Sequence, residues 1–163
     1  MRLELIQPFI NSADAVFAEA LHCTTRVDDL SMEEQRYRRQ GMAALVAISG
    51  EIEGRVIVDM EPETALRAAS QLASQPVAAS DELAKETVCE LANLVIGNAV
   101  TTLNDRGFRF KVHPPEFHAA NEGLQGSEDT EAVVLSFQTE TGRVYVNIAI
   151  RHKGRRKNDS GRW

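Results

Sequence analysis

The sequence predicts an α+β fold: an antiparallel sheet packed against two longer helices and one short helix. Three observations lead there. Two pairs of apolar, β-rich runs are each joined by a short glycine-containing turn, the pattern of hairpins rather than of parallel crossovers. Two long stretches carry apolar residues at three-to-four spacing, the helical period. The order helix, strands, helix, long helix, strands lacks the strict βαβ alternation of a doubly wound sheet. At 163 residues and 43% hydrophobic, the chain suits one domain with a sizeable core. Only 6% of it is aromatic, so Ala, Val, Leu and Ile must fill that core.

The first helix is expected from about Pro8 to His22, since proline suits a first helical position. Phe9, Ala13, Val16, Phe17, Ala20 and Leu21 supply its apolar face. The charged stretch TTRVDDLSMEEQRYRRQG then reads as an exposed edge strand or loop. MAALVAISGEIEGRVIVDM gives the first hairpin, with runs Ala43 to Ile48 and Arg55 to Met60 around Gly50 and Gly54. In the second run Val56 and Val58 face one way, Ile57 and Asp59 the other. EPETALRAASQLASQ is the short helix, started near Pro62 and burying Ala65, Leu66, Ala69, Leu72 and Ala73.

Ser80 is placed to cap the next helix, the long one, from about Asp81 to Arg106, with Gly107 to end it. FRFKVHPPEF reads as a strand broken by Pro114 and Pro115. A loop rich in Gly, Glu and Asp spans Asn121 to Glu131. AVVLSFQTETGRVYVNIAI closes the chain as a second hairpin, turning at Thr141 and Gly142. No internal repeat is legible.

Composition narrows the function classes. No apolar run approaches the ~18 residues of a membrane span, and the N-terminal segment lacks the apolar h-region of a signal peptide. A soluble, cytoplasmic protein without a membrane partner is expected. Six basic residues against one acidic one give residues 151–163 a charge of +5, which leaves −11 on residues 1–150 of a net −6. So acidic a body does not suit broad phosphate-backbone binding, and no nucleic-acid partner is expected. The expected organisation is one domain over residues 1–150 and a basic, disordered tail over 151–163. Cys23 and Cys89 read as ordinary reduced thiols, and His22, His113, His118 and His152 have no metal-ligand spacing around them. GxSxG, P-loop and GxGxxG motifs are absent from the sequence.

The long helix carries the informative pattern. At about 100° per residue, Glu86, Glu90, Asn93, Gly97, Thr101 and Asn104 share an arc of about 80°. Most of the remaining circumference is apolar. The helix should therefore be packed on most sides and open along one strip, with Asn98 placed among apolar residues and bonded to backbone. On the residues alone this strip is ordinary amphipathicity, a solvated face of a core helix. Gly97 stands out, because a glycine inside a helix costs about 1 kcal/mol relative to Ala; close approach of another chain would be a gain.

The segment ELANLVIGNA, with Glu90 and Asn93 three apart, resembles the CheC/CheX group of chemotaxis phosphatases, and CheX most closely. IQPFINSADAVFAEAL, LVAISGEIEGRVIVDMEPETALRAAS and LSFQTETGRVYVNIAI resemble the family's first helix, hairpin-plus-helix and closing hairpin, so the likeness covers most of residues 3–150. The family's motif is an Asp or Ser, a Glu four residues on, an Asn three further, and a downstream Pro. Glu90 and Asn93 match the central pair. Glu86 stands at the first position, where it keeps an acid with one more methylene, and Pro114 and Pro115 fall slightly before the expected spacing.

The resemblance implies hydrolysis of the phosphoaspartate of a phosphorylated CheY-type receiver domain. Asn93 would orient the attacking water and Glu90 would engage the receiver's lysine. Glu86 would lie at the periphery, and Gly97 would admit the partner's loops. It implies no cofactor bound by this chain; Mg2+ would arrive on the receiver. CheC-like members carry two such motifs, one on each long helix. The first helix here has no Glu-x-x-Asn, so a one-site protein is expected, and a homodimer by likeness to CheX. A non-catalytic receiver-binding or scaffold module in two-component or chemotaxis signalling is the alternative, with the strip serving only as an interface.

Overall fold

The computed structural model describes residues 3–21, 27–32, 41–76, 78, 80–119 and 132–153. Its elements run α1 (Leu3–Ala20), β1 (Val27–Met32), β2 (Met42–Gly50), β3 (Ile52–Met60), α2 (Pro62–Ala73), α3 (Asp81–Asp105), β4 (Phe110–Val112), β5 (Glu116–Ala119), β6 (Val133–Thr139) and β7 (Gly142–His152). Every strand pairing is antiparallel. The sheet has seven strands in the order β1-β6-β7-β3-β2-β4, with β5 also on β2. The α+β expectation, two longer helices and one short one against an antiparallel sheet, is what the chain adopts.

Both expected hairpins form, the first with a tighter turn than Gly50 and Gly54 together indicate. β2 and β3 pair from Met42↔Met60 to Ile48↔Gly54 around Glu51. β6 and β7 pair from Val133↔Ile148 to Thr139↔Gly142 around Glu140 and Thr141. Gly54 does not turn the chain. It sits inside β3 with φ +142°, where a Cβ would collide with the Ala149 carbonyl of β7, so only glycine fits this crowded strand centre. Pro114 and Pro115 split one edge strand into β4 and β5, both of which pair with β2. The polar stretch after α1 contributes β1, an edge strand on β6. The loop read over 121–131, together with His22 and Cys23, lies outside the described residues. Arg151 and His152 of the expected tail complete β7, and the Lys153 N–H donates to the Glu51 carbonyl.

Three local expectations need correction. The first helix begins at Leu3, with Pro8 inside it. Leu5 and Ile6 are buried at 0% and 2% exposure, and their transfer from water outweighs the proline's missing N–H. A proline at position 8 frees the Glu4 carbonyl, and the Arg106 guanidinium donates to it at 3.2 Å. In α2 the buried residues are Thr64, Ala65, Ala68 and Ala69, with Leu66 and Leu72 half-buried and Ala73 exposed. Ala73 is the last helical residue, followed by Ser74 in the left-handed region, so it has turned away from the core.

The third correction concerns repetition. Exchanging β1 for β4/β5, β2 for β6 and β3 for β7 returns the same strand order reversed. The chain is thus two αβββ halves, α1 to β3 and α3 to β7, about a pseudo-twofold between β3 and β7. In keeping with it, α3 lies over β2 and β3 while α1 lies over β6 and β7, and the two helices pack on each other. The core fills the space between helices and sheet. Phe17 of α1 meets Phe137 of β6 edge-to-face at 5.2 Å, and Val56, Val58, Val146 and Ile148 are buried at 0% from the sheet side. Residues Val56 to Met60 are all buried, Ile57 and Asp59 included, so β3 is covered on both faces.

Candidate functional site

Helix α3 starts on a serine cap. The Ser80 hydroxyl accepts from the Leu83 N–H at 3.0 Å, and Asp81 and Glu82 in the first turn complement the helix dipole. The Arg106 and Gly107 amides close the other end onto carbonyls of the last turn, with Gly107 at φ +96°. One side of the helix is buried through Ala84, Val88, Leu91, Ala92, Val95, Ile96, Ala99 and Leu103. Contacts to α1, α2, β2 and β3 hold that side in place. Two further ties fix the helix where the strip lies. The buried Ser12 hydroxyl donates to the Val95 carbonyl at 2.6 Å, and the Lys85 ammonium lies 5.7 Å from the centre of the Phe117 ring on β5.

Opposite this packed side the strip is open. Glu86, Glu90, Asn93, Gly97, Thr101 and Asn104 are all exposed. The structure therefore brings Glu90 and Asn93 together on one face, one helical turn apart, with Glu86 a turn before them and Gly97 a turn after. The open arc is wider than the sequence indicated. Leu94, 37% exposed, and Asn98 belong to it; Asn98 faces out because α1, α2 and the sheet all lie on the other side of α3. A Cβ built on Gly97 would meet nothing within 4 Å. No packing within the described chain calls for glycine there.

The strip is electrostatically graded. Its first half carries Glu86 and Glu90, with Glu82 and Lys85 at its margin, and residues Asn93 to Asn104 carry no charge. The Thr101 hydroxyl donates to the Gly97 carbonyl at 3.1 Å and that of Thr102 to the Asn98 carbonyl at 3.4 Å. Cys89 sits half-buried at the strip's flank. Burial pushes its thiol upward, an effect the nearby Lys85 ammonium opposes. Elsewhere, His113 shares a 2.9 Å hydrogen bond with Ser49, and His118 lies 3.5 Å from Glu116. Among the described residues no three His, Cys, Asp or Glu side chains converge so as to hold a metal ion.

The pseudo-twofold gives each strip residue a counterpart on α1. Ser12 and Val95, in contact across 83 positions, mark the axis. The same offset superposes buried on buried: Leu5 on Val88, Phe9 on Ala92, Ala13 on Ile96 and Val16 on Ala99. It sets Gln7 against Glu90, Ile10 against Asn93 and Asp14 against Gly97. The Gln7 amide donates to the Asn11 carboxamide oxygen at 2.9 Å. α1 thus presents the same shape without the carboxylate, the free carboxamide or the gap.

The fold is that of CheC-like proteins. A CheC-like superfamily protein from Shewanella sp. PV-4 superposes with a TM-score of 0.81 at 20% identity, over 93% of this chain and 99% of that one. The chemotaxis protein CheX from Vibrio vulnificus gives 0.79 at 17%, over 91% and 99%. The sequence also matches the family described as chemotaxis phosphatase CheX over residues 42–138. It is 33% identical to a chain of the CheX–CheY–BeF3–Mg2+ complex from Borrelia burgdorferi, with a TM-score of 0.71 over 92% of this chain and 99% of that one. The chain belongs to the CheX family. No individually curated protein matches it.

Proposed function

We propose that this protein hydrolyses the phosphoaspartate of a CheY-type receiver domain, with Asn93 orienting the attacking water and Glu90 engaging the receiver's lysine. The observation that carries the reading is the placement of Glu90 and Asn93. Both are exposed on one face of α3, one turn apart, in a chain of the CheX family. A 33% identical relative in a complex with CheY, BeF3 and Mg2+ supports the choice of partner, since beryllofluoride stands in for a phosphoryl group on an aspartate.

The chemistry suits these side chains. A carboxamide both donates and accepts, so Asn93 can hold a water by one hydrogen while its carbonyl accepts from that water. The water oxygen then forms a bond to phosphorus as the bond to the aspartyl oxygen breaks; the aspartate leaves as a carboxylate, and the water's protons leave with the inorganic phosphate and to solvent. Carboxylate is a good leaving group, so no general acid is required. Positioning and electrostatics dominate such transfers. Glu90 would form a charge-assisted hydrogen bond to the receiver's lysine and fix the register. Glu86 would add negative potential at the periphery, and Gly97 would leave room for the partner's backbone. Mg2+ would be the receiver's, with no ligand from this chain. The acting unit is the single domain that β7 closes, working in the cytoplasm as a homodimer of the CheX kind.

The test is to mix the chain with a receiver labelled by acetyl phosphate, Mg2+ present, and follow loss of the acyl phosphate. Acceleration over receiver autohydrolysis supports the enzyme, and Asn93→Ala should remove at least about a hundredfold of it while leaving the fold intact. The second reading, a receiver-binding module, is favoured by Glu86 in place of Asp or Ser. Binding without acceleration identifies it.

A further inference from the structure

The outer face of α3 holds two features that packing among the described residues does not explain. The first is Leu94. Val88, Leu91, Val95, Ile96 and Leu103 on this helix are 0–3% exposed and Leu83 and Val100 are half-buried, whereas Leu94 is 37% exposed, directly beside Asn93. The second is Gly97, an interior helical glycine with open space where its Cβ would be. Alanine would fit there and would favour the helix. Leu94 and Gly97 are three residues apart and so adjacent on the surface. Thr101, a turn further on, has its hydroxyl turned back onto the Gly97 carbonyl. That bond satisfies the hydroxyl within the helix. The result is a small saddle: Leu94 as a ridge, Gly97 as the floor and Thr101 at the far rim, with Asn93 at its edge.

We infer that this saddle is the seat that sets specificity: Leu94 and Gly97 fix how deeply and in which register a receiver docks, so that the Asn93 carboxamide reaches the phosphoryl group. The inference rests on the receiver-phosphatase reading above and adds the residues that choose the partner. The occupant is a receiver surface with a small, apolar loop beside its acyl phosphate and a cation on the side facing Glu86 and Glu90. Charge complementarity favours that orientation, since Glu86 and Glu90 lie before Asn93 and residues 93–104, which include the saddle, carry no charge. Glu90 attracts and registers the partner. Leu94 is the apolar anchor of the kind that concentrates binding energy at interfaces. Gly97 admits backbone where any side chain would hold the partner off.

The test compares wild type with Leu94→Asp, Leu94→Met, Gly97→Ala and Gly97→Leu, using the receiver that the wild-type chain dephosphorylates fastest. Affinity is read with that receiver loaded with beryllofluoride and Mg2+, and turnover with its acyl phosphate. Leu94→Asp and Gly97→Leu should weaken binding by at least about tenfold, with the loss falling in KM. Leu94→Met, which keeps an apolar ridge, should retain most of the affinity. Gly97→Ala should raise the melting temperature and yet lower kcat/KM, a split that a purely structural glycine would not give. Folded Leu94→Asp and Gly97→Leu proteins that bind and turn over the receiver as wild type does would overturn the inference and leave the phosphatase reading standing. A wild-type chain that neither binds nor dephosphorylates receivers would overturn both.

Discussion

Helices α1 and α3 occupy equivalent places in a pseudo-twofold fold, yet only α3 presents a Glu-x-x-Asn pair to solvent. Their buried faces match around the Ser12–Val95 contact, at Leu5 and Val88, Phe9 and Ala92, Ala13 and Ile96, and Val16 and Ala99. Their outer faces do not. Where α3 offers Glu90, Asn93 and Gly97 to solvent, α1 offers Gln7, Ile10 and Asp14. The Gln7 amide is already bonded to Asn11, Ile10 packs in part against the core, and Asp14 puts a carboxylate where α3 has a gap. The repeat is therefore kept by packing and lost at the surface. Burial constrains both helices alike, because each must cover half of the sheet; only a partner can distinguish their exposed sides.

That contrast can be broken by exchanging what each helix exposes. Glu90→Ala should weaken receiver binding and lower kcat/KM by at least about tenfold, since a hydrogen bond to a charged group is worth about 1.5–3 kcal/mol. Gln7→Ala, at the equivalent place on α1, should leave both within about twofold, its loss being a solvent-exposed amide pair worth a few tenths of a kcal/mol. Equal losses from the two variants would mean that the partner does not distinguish the helices. Supports of the shared packing should act on stability. Ser12→Ala removes the buried hydrogen bond at the axis and should cost about 1–2 kcal/mol, seen as a melting temperature lower by about 2–6 °C. Ser80→Ala removes the cap of α3 and should cost about 1 kcal/mol.

The smallest expected effect concerns Cys89. Because burial raises its thiol, the protonated form is favoured by the fold. Stability should be unaffected at neutral pH and should fall as pH rises through the unfolded-chain value, the loss levelling off above the folded one. In a Cys23→Ser background, alkylation of Cys89 near pH 8 should be slower than that of a free thiol and should speed up in denaturant. A bound receiver should slow it further if the partner covers the flank of α3.

Legibility in the sequence followed how local each cause was. Ser80, Gly107, the two hairpin turns and the proline pair act within a few residues, and each element they bound was readable. The start of α1 was not, because the partner for the carbonyl that Pro8 frees is Arg106, 102 residues away. The repeat was illegible because paired positions share burial rather than residue type: Phe9 answers to Ala92 and Ser12 to Val95. The strip itself was legible from a helical wheel, since six polar positions repeat every three to four residues. Its true width was not. Whether Leu94 and Asn98 are covered depends on where α1, α2 and the sheet lie, and a wheel holds no neighbours. The singling out of Glu90 and Asn93 came from family likeness, and their shared exposure is what the fold adds.

The most direct test of the account is the decay of a receiver's acyl phosphate, with Mg2+ present, alone, with the wild-type chain and with Asn93→Ala. The account predicts fast decay with wild type and decay close to autohydrolysis with Asn93→Ala, while that variant still melts cooperatively near the wild-type temperature and still binds the beryllofluoride-loaded receiver. A folded Asn93→Ala protein that dephosphorylates the receiver as fast as wild type would contradict it.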